Sequence, residues 1–207
     1  SHVFRQIIGI PMGSDRTPFM ANLFLYFYEN KFIPEVKKVD IARAKRFLYV
    51  FRFIDDLNAL NDWDEFSKSY KDIYPPELEL GKENDDPSNA SFLDLDISIE
   101  NGQFIYSQYD KRDAFPFSIV RLPYKCSNIP CNMFYSSIAA EILRIGRTSY
   151  SAVLFSTRTK PLVQRMIKQG AVSKDLFRVL KKTFNRHSKN LCHITSDRSA
   201  FLDMVLA

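Results

Sequence analysis

Two adjacent carboxylates, Asp55 and Asp56, lie inside the largely apolar run FRFIDDLNAL, residues 51–60. Burying like charges costs free energy unless something positive compensates them, and the apolar neighbours of this pair favour partial burial. The β-branched and aromatic residues on both sides predict two short strands, with the aspartates at the tight turn that joins them. This hairpin restricts the fold around it, because partly buried acids need a positively charged partner.

Other segments complete the predicted order of elements in the N-terminal half. Residues 18–33, bounded by prolines, predict a largely buried helix, and residues 62–74 predict a second helix. A short strand is predicted over residues 78–82. Alternating apolar and polar residues on both sides of Asn101–Gly102 predict a second hairpin. This order indicates an α+β fold built on an antiparallel sheet.

The C-terminal half of the sequence changes character, because amphipathic helical patterns replace the strands. Three such patterns cover residues 131–149, 159–170 and 173–187. We therefore predict an α+β domain over residues 1–113 and an all-α, basic domain over residues 114–207.

The net charge of +5 hides an uneven distribution along the chain. Residues 1–100 hold 12 Lys and Arg against 18 Asp and Glu, whereas residues 101–207 hold 17 against 6. A basic half suits a polyanion, and nucleic acid is the first partner of that kind to consider. Ordinary solvated helix faces are the alternative explanation of the same charges.

Neither a membrane-spanning segment nor a secretory signal is expected from the sequence. No apolar stretch reaches the roughly eighteen residues that cross a bilayer, and the first residues lack the charged-then-apolar order of a signal peptide. Three cysteines, an odd and sparse set, are typical of reduced thiols rather than of a disulfide framework. We therefore predict an intracellular protein, nuclear or cytoplasmic, with no membrane partner.

Adjacent aspartates on a hairpin turn are suited to bind hard divalent cations such as Mg²⁺ or Mn²⁺, which prefer oxygen ligands. A pair of such ions stabilises both the attacking and the leaving oxygen in phosphoryl transfer. Upstream, residues 9–25 read GIPMGSDRTPFMANLFL, with paired glycines and Thr17-Pro18 at a helix start. Glycines allow a close backbone approach to a ligand, and a helix start favours phosphate. The two stretches predict a metal-dependent site for phosphate chemistry, and a solvated acid pair is the alternative.

These two stretches, in this order, resemble the B and C motifs of reverse transcriptases, in particular those of Penelope-like retroelements. Phe53-Ile54-Asp55-Asp56 is similar to the C motif, which has an aromatic residue, a variable residue and two aspartates on a hairpin. Met12 stands where many members of the family have glutamine, and the Penelope-like branch tolerates methionine there. The resemblance implies that these residues bind nucleotide and template: Gly9, Pro11, Met12, Gly13, Thr17, Pro18, Asn22 and Phe53.

The resemblance also implies RNA-directed DNA polymerase activity on an RNA or DNA template–primer with dNTPs, and Asp55 and Asp56 as catalytic metal ligands. It implies a partial palm in which Lys82 donates a proton to the departing pyrophosphate and residues 91–109 contain a primer-grip hairpin. A helical thumb is expected to follow the palm. The first catalytic aspartate of the family lies on a strand before motif B, and only eight residues precede Gly9. We therefore expect an incomplete two-metal site and no polymerase activity from this chain alone.

Phosphate contacts of the thumb and of the segment after the second hairpin are expected to come from lysines and arginines. Taken alone, each of these residues is more simply explained as a surface charge. The predicted contacts are Lys111, Arg112, Arg144, Arg147, Arg165, Lys168, Lys181 and Lys182.

Several alternatives stay open. A non-catalytic nucleic-acid-binding or oligomerisation module derived from a reverse transcriptase is the main one. A helix-rich interaction domain unrelated to nucleic acid requires both motifs to be coincidental. A zinc site is a further possibility, because four cysteine or histidine ligands suffice to bind the ion. The ligands would come from Cys126, Cys131, His187, Cys192 and His193, and packed thiols are the alternative explanation of the cysteines.

A palm without its central strand leaves an exposed edge and apolar surface, so we predict a homo-oligomer.

Overall fold

The computed structural model describes Gly9, Gly13 and residues 15–60, 63–117 and 119–206. The chain has a mixed α+β fold, as predicted, with antiparallel strands and a helical C-terminal region. It divides into two compact units, Ser1–Asp85 and Asp86–Ala207. This division differs from the boundary predicted after residue 113, because the second hairpin falls in the same unit as the C-terminal helices.

The first unit consists of helices around one β-hairpin. The two strands are antiparallel, with Phe53 opposite Asp56, so that Ile54 and Asp55 form the turn between them. Both the hairpin and the helix beginning near Pro18 are therefore confirmed. The elements are α1 (Thr17–Val39), α2 (Ile41–Arg46), a 3-10 turn (Phe47–Tyr49), β1 (Val50–Phe53), β2 (Asp56–Ala59) and α3 (Trp63–Ile73).

The prediction that α1 is largely buried is wrong. Val36 is its buried residue in the described part of the chain, whereas Phe19, Leu23 and Phe27 are 69%, 54% and 64% exposed. Apolar side chains surround α1 on nearly all sides, and a two-stranded hairpin with two short helices is too small to cover them. The first unit therefore presents an exposed apolar face.

The strand predicted over residues 78–82 is also wrong, because this segment is irregular. It follows the pair Pro75–Pro76, whose ring nitrogens have no hydrogen to donate to a ladder. It also pairs with no strand in the described part of the chain. Without a partner strand its two apolar residues, Leu78 and Leu80, do not establish an extended ladder.

The second unit begins with a three-stranded antiparallel sheet in the order β3-β4-β5. The predicted hairpin is confirmed, since Asn101 and Gly102 both have positive φ, 51° and 76°, in the two-residue turn between β4 and β5. The strands are β3 (Asn89–Phe92), β4 (Leu95–Glu100) and β5 (Gln103–Gln108). The sheet is one strand wider than the sequence pattern indicated.

Four helices follow the sheet and enclose the main hydrophobic core. Phe134, Ile138, Phe155, Leu176 and Phe201 are fully buried in it. The helices are α4 (Cys131–Arg147), α5 (Ala152–Lys168), α6 (Ser173–Leu191) and α7 (Arg198–Leu206). No helix in the described ranges is long and apolar enough to cross a bilayer.

Candidate active site

The paired acids lie at the tip of the β1–β2 hairpin. Asp55 is in the two-residue turn, and Asp56 is the first residue of β2. Both are exposed, so the expectation of partial burial is wrong. The physical reason is that their apolar neighbours on β1 are themselves half-exposed, with Phe51 at 47% and Phe53 at 49%. Within the described residues neither carboxylate has an ion pair, so both keep their lone pairs for a ligand.

Helix α1 holds this turn through Asn22. The Oδ1 atom of Asn22 accepts hydrogen bonds from the backbone N–H of Ile54, at 3.3 Å, and from Nη1 of Arg52, at 2.8 Å. Asn22 belongs to the upstream stretch GIPMGSDRTPFMANLFL, and Ile54 directly precedes the two aspartates. The two sequence stretches singled out above therefore meet in space, through an amide oxygen that accepts a hydrogen bond from the backbone of the turn.

Ile54 has an unusual backbone conformation for its residue type. Its φ of 55° is in the left-handed region, which a β-branched residue rarely adopts. Such a conformation costs about 1–3 kcal/mol and persists where surrounding contacts impose it. The hydrogen bond that the Ile54 N–H donates to Asn22 Oδ1 is one such contact, and the strained residue is the neighbour of the acid pair.

A partly buried polar cluster fixes the same hairpin to α1, and the sequence reasoning missed it. Arg52 Nε is 2.6 Å from Glu29 Oε1, and its Nη2 is 3.1 Å from Glu29 Oε2, so the pair is bidentate. The hydroxyl of Tyr74 donates to Glu29 Oε1 at 2.6 Å. The sequence did contain a signal for this cluster: one acidic residue, Glu29, and one basic residue, Arg52, each lie in a segment that is otherwise mainly apolar.

The cluster shifts the pKa values of its members, including those of Glu29 and Tyr74. Burial tends to raise the pKa of Glu29, but hydrogen bonds from Arg52 and Tyr74 outweigh it, and the pKa lies below its ordinary value. Burial, together with the neighbouring Glu29 carboxylate, raises the pKa of Tyr74. The cluster is therefore most stable with Glu29 charged and Tyr74 neutral.

We expect the first unit to lose stability on both sides of a broad pH plateau. The lowered pKa of Glu29 stabilises the fold above its ordinary value of 4.5, and this contribution is lost as the pH falls through the lowered value. The raised pKa of Tyr74 stabilises the fold below its ordinary value of 10.0, and this contribution is lost as the pH rises. Urea unfolding monitored by Trp63 fluorescence, repeated across pH, measures both limbs. Glu29→Gln should flatten the acid limb, and an unchanged acid limb would contradict the assignment.

The other predicted nucleotide and template residues are only partly described. Gly9 and Gly13 are exposed, with φ of 87° and 92°, conformations that favour glycine. Thr17 and Pro18 begin α1, and Pro18 occupies the first turn as expected. Pro11 and Met12 lie outside the described residues.

Lys82 is exposed in the irregular segment that follows α3. Within the described residues no hydrogen bond or ion pair fixes its ammonium group. Its role as a proton donor stays a prediction.

Two of the predicted phosphate contacts are engaged by carboxylates of the second unit. Arg112 forms a bidentate pair with Asp110, with Nε at 2.7 Å from Oδ1. Arg144 pairs with the buried Glu141 at 2.9 Å and with Asp94 at 3.0 Å. The Arg144 guanidinium links α4 to Asp94 in the turn between β3 and β4, whereas the Arg112 pair is local. The cationic charge of both groups is already compensated. Among the other predicted phosphate contacts, Arg165 is half-buried. The remaining ones are exposed, namely Lys111, Arg147, Lys168, Lys181 and Lys182.

Metal-ligating side chains are sparse in the described ranges. No group of three or more His, Cys, Asp or Glu there is able to hold a metal ion. Cys126, Cys131 and Cys192 are exposed free thiols, and they form no zinc site with the histidines of the described part. Asp55 and Asp56 are thus a pair of oxygen donors that needs further ligands, from water, substrate or other residues.

Comparison with known proteins gives no relative for this chain. No family model matches it, and neither the curated proteins nor the solved structures give a match.

Proposed function

We propose that this chain is a palm and thumb segment of an RNA-directed DNA polymerase of a retroelement, with Asp55 and Asp56 as ligands for Mg²⁺ or Mn²⁺. The observation that carries the proposal is the contact of Asn22 Oδ1 with the Ile54 N–H, which links the two motif-like stretches at the acid pair. The contact joins residues 32 positions apart in the sequence, and the two acids lie exposed beside it, as a site that binds a metal from solution requires.

In this proposal the residues of the chain hold and orient the metal. The turn presents two adjacent carboxylates, which are preferred by hard cations, and Arg52 and Asn22 hold the strands that carry them. The metal, when bound, stabilises charge on the phosphate oxygens during nucleotidyl transfer. Two carboxylates are a weak site, so a further acid is needed and the chain alone should not polymerise.

Metal binding at the turn is the direct test. We expect Mn²⁺ to broaden the backbone amide NMR signals around Asp55 and Asp56 selectively, because paramagnetic broadening falls steeply with distance. The double variant D55N/D56N should abolish this broadening. The matched control is D85N/D86N, which removes the same charge from another adjacent pair of exposed aspartates.

Three outcomes contradict the proposal. The first is equal broadening throughout the acidic first unit, and the second is broadening that D55N/D56N leaves unchanged. The third is elongation of a primer by the chain with template, dNTPs and Mg²⁺ that does not depend on Asp55 or Asp56.

A non-catalytic module derived from such a polymerase is the second candidate function. It is favoured by the exposed apolar face of α1, where Phe19 and Phe27 are more than half exposed, since surfaces of this kind recruit other chains. If Mn²⁺ does not bind at the turn, this candidate is preferred. Self-association of the chain stays a prediction.

A further inference from the structure

The side chain of Asn22 has two ways to face the turn that carries the acid pair. Its amide ends in an oxygen and an NH2 group of nearly the same size. In the structure the oxygen faces the turn and accepts a hydrogen bond from the Ile54 N–H at 3.3 Å. Rotation of the amide by half a turn would place a donor against that N–H, and the hydrogen bond would be lost. The hold on the turn therefore depends on what fixes this amide.

Arg52 selects the orientation with the oxygen toward the turn. Its Nη1 donates to Asn22 Oδ1 at 2.8 Å, so this oxygen accepts from both the guanidinium and the Ile54 N–H. An NH2 group in the same place would meet two donors and accept from neither. A carbonyl oxygen has two lone pairs, and here both are used inside the protein. A nucleotide or template is left only the Nδ2 group of this amide.

Glu29 fixes the direction in which Arg52 points. The two carboxylate oxygens accept from Nε at 2.6 Å and from Nη2 at 3.1 Å, and the third nitrogen, Nη1, is left for Asn22. Glu29 lies about two turns after Asn22 along the same side of α1. A planar guanidinium held at three nitrogens by one helix has little freedom to rotate. Glu29 thus acts on the turn through Arg52.

Tyr74, directly after α3, holds the carboxylate of Glu29 in turn. Its hydroxyl donates to Glu29 Oε1 at 2.6 Å, and its backbone N–H donates to the carbonyl oxygen of Tyr70 in α3 at 2.8 Å. A chain of hydrogen bonds therefore runs from the end of α3 to the neighbour of the acid pair. We name it the turn network, and its members in order are Tyr74, Glu29, Arg52, Asn22 and the Ile54 N–H.

We propose that Glu29 and Tyr74 are positioning residues for the acid-bearing turn, which they hold through the orientation of the Asn22 amide. Neither residue belongs to the turn, and both act on it through Arg52. The role of Asn22 then differs from the nucleotide or template contact that the resemblance implies, because its oxygen is committed to the turn. The inference rests on the proposed function only for the use of Mn²⁺ as one of two probes.

Hydrogen exchange of the Ile54 amide tests this role without any metal. The Leu60 amide, which donates to the carbonyl oxygen of Tyr49 at the other end of the hairpin, is the internal reference. Expressing the Ile54 rate relative to the Leu60 rate removes the effect of a general loss of stability. We expect E29Q to raise this relative rate about tenfold and Y74F about threefold, because each weakens the hydrogen bonds that orient Arg52.

E35Q and Y26F are the matched controls on α1. Glu35 forms an exposed pair with Lys38, and Tyr26 is 55% exposed, with its hydroxyl 3.4 Å from Asn30 Oδ1. Neither residue belongs to the turn network, so the relative Ile54 rate should change by no more than about twofold in both variants. Circular dichroism checks that all variants keep their helices.

N22D separates a positioning role from a general contribution to stability. Both oxygens of a carboxylate accept hydrogen bonds, so either orientation of this side chain holds the Ile54 N–H and Arg52. Adding E29Q to N22D should therefore change the relative Ile54 rate by no more than about twofold, against about tenfold in the wild-type background.

Mn²⁺ broadening at Asp55 and Asp56 measures the consequence for the acid pair. E29Q should weaken this binding about tenfold, as is typical when a partner that orients metal ligands is lost, whereas E35Q, which removes the same charge, should not. Equal acceleration at Ile54 and Leu60, or an E29Q effect that persists in full in N22D, would overturn the proposal. Mn²⁺ bound at the turn with an affinity unchanged by E29Q would also overturn it. If the wild-type turn binds no Mn²⁺, the metal assignment fails, and the exchange rates alone decide the positioning role.

Discussion

Replacing Phe201 with alanine is expected to lower the free energy of unfolding of the second unit by about 4 kcal/mol. Phe201 lies on α7 and is fully buried. Its ring stacks on Phe155 of α5 at 5.8 Å and packs against Phe184 of α6 at 5.1 Å. The substitution removes apolar contacts with two helices and leaves a cavity that a close-packed core fills only in part.

Urea unfolding followed by far-UV circular dichroism measures this effect. The matched control is Phe177→Ala on α6, because Phe177 is the same residue type and is 46% exposed. We expect the control to change stability by no more than about 0.5 kcal/mol. Similar effects of the two substitutions would contradict the docking of α7 through Phe201.

The Arg52→Ala substitution is expected to destabilise the first unit by about 2–3 kcal/mol. It removes the bidentate pair with Glu29 and the hydrogen bond to Asn22, and it leaves the Glu29 carboxylate without its cation. The side chains of Arg52 and Glu29 are 13% and 28% exposed, so solvent screens their attraction only in part. Because Asn22 also holds the turn, the substitution should also weaken the Mn²⁺ binding that we propose at Asp55 and Asp56.

Trp63 is the single tryptophan of the chain and lies in the same unit, so its fluorescence reports this unfolding transition. Lys38→Ala is the control, since Lys38 forms a pair with Glu35 on α1 in which both side chains are about two-thirds exposed. Exposed pairs contribute little, and a change below about 0.5 kcal/mol is expected. An Arg52→Ala variant as stable as this control would show that the cluster does not hold the hairpin to α1.

Local patterns in the sequence predicted the elements whose signals are local. The turn at Asn101–Gly102 needs positive φ at both positions, and this dipeptide supplies it. The aspartate-bearing hairpin and the helices α3 to α6 also follow from periodicity over short windows. Each of these predictions depends on residues that are neighbours in the chain.

The features that were missed depend on contacts between distant residues. Glu29 binds Arg52 and Tyr74 across 23 and 45 positions, and no spacing rule links them. Helix α7 has only nine residues, and it is stabilised by burial of Phe201 and Val205 against other helices. The exposure of α1 was missed for a related reason, because an apolar helix does not reveal how much protein is present to cover it.

The turn at Ile54 has a consequence for the order in which the acid pair is assembled. A peptide of residues 50–60 alone would have only its own strand pairing to hold Ile54 in the left-handed conformation, and an isolated two-stranded hairpin is at best marginally stable. Docking on α1 supplies the acceptor, Asn22, that holds the Ile54 N–H. The arrangement of the two aspartates is therefore fixed only when α1 is folded, and unfolding of that helix would release the turn that carries them while the chain remains intact.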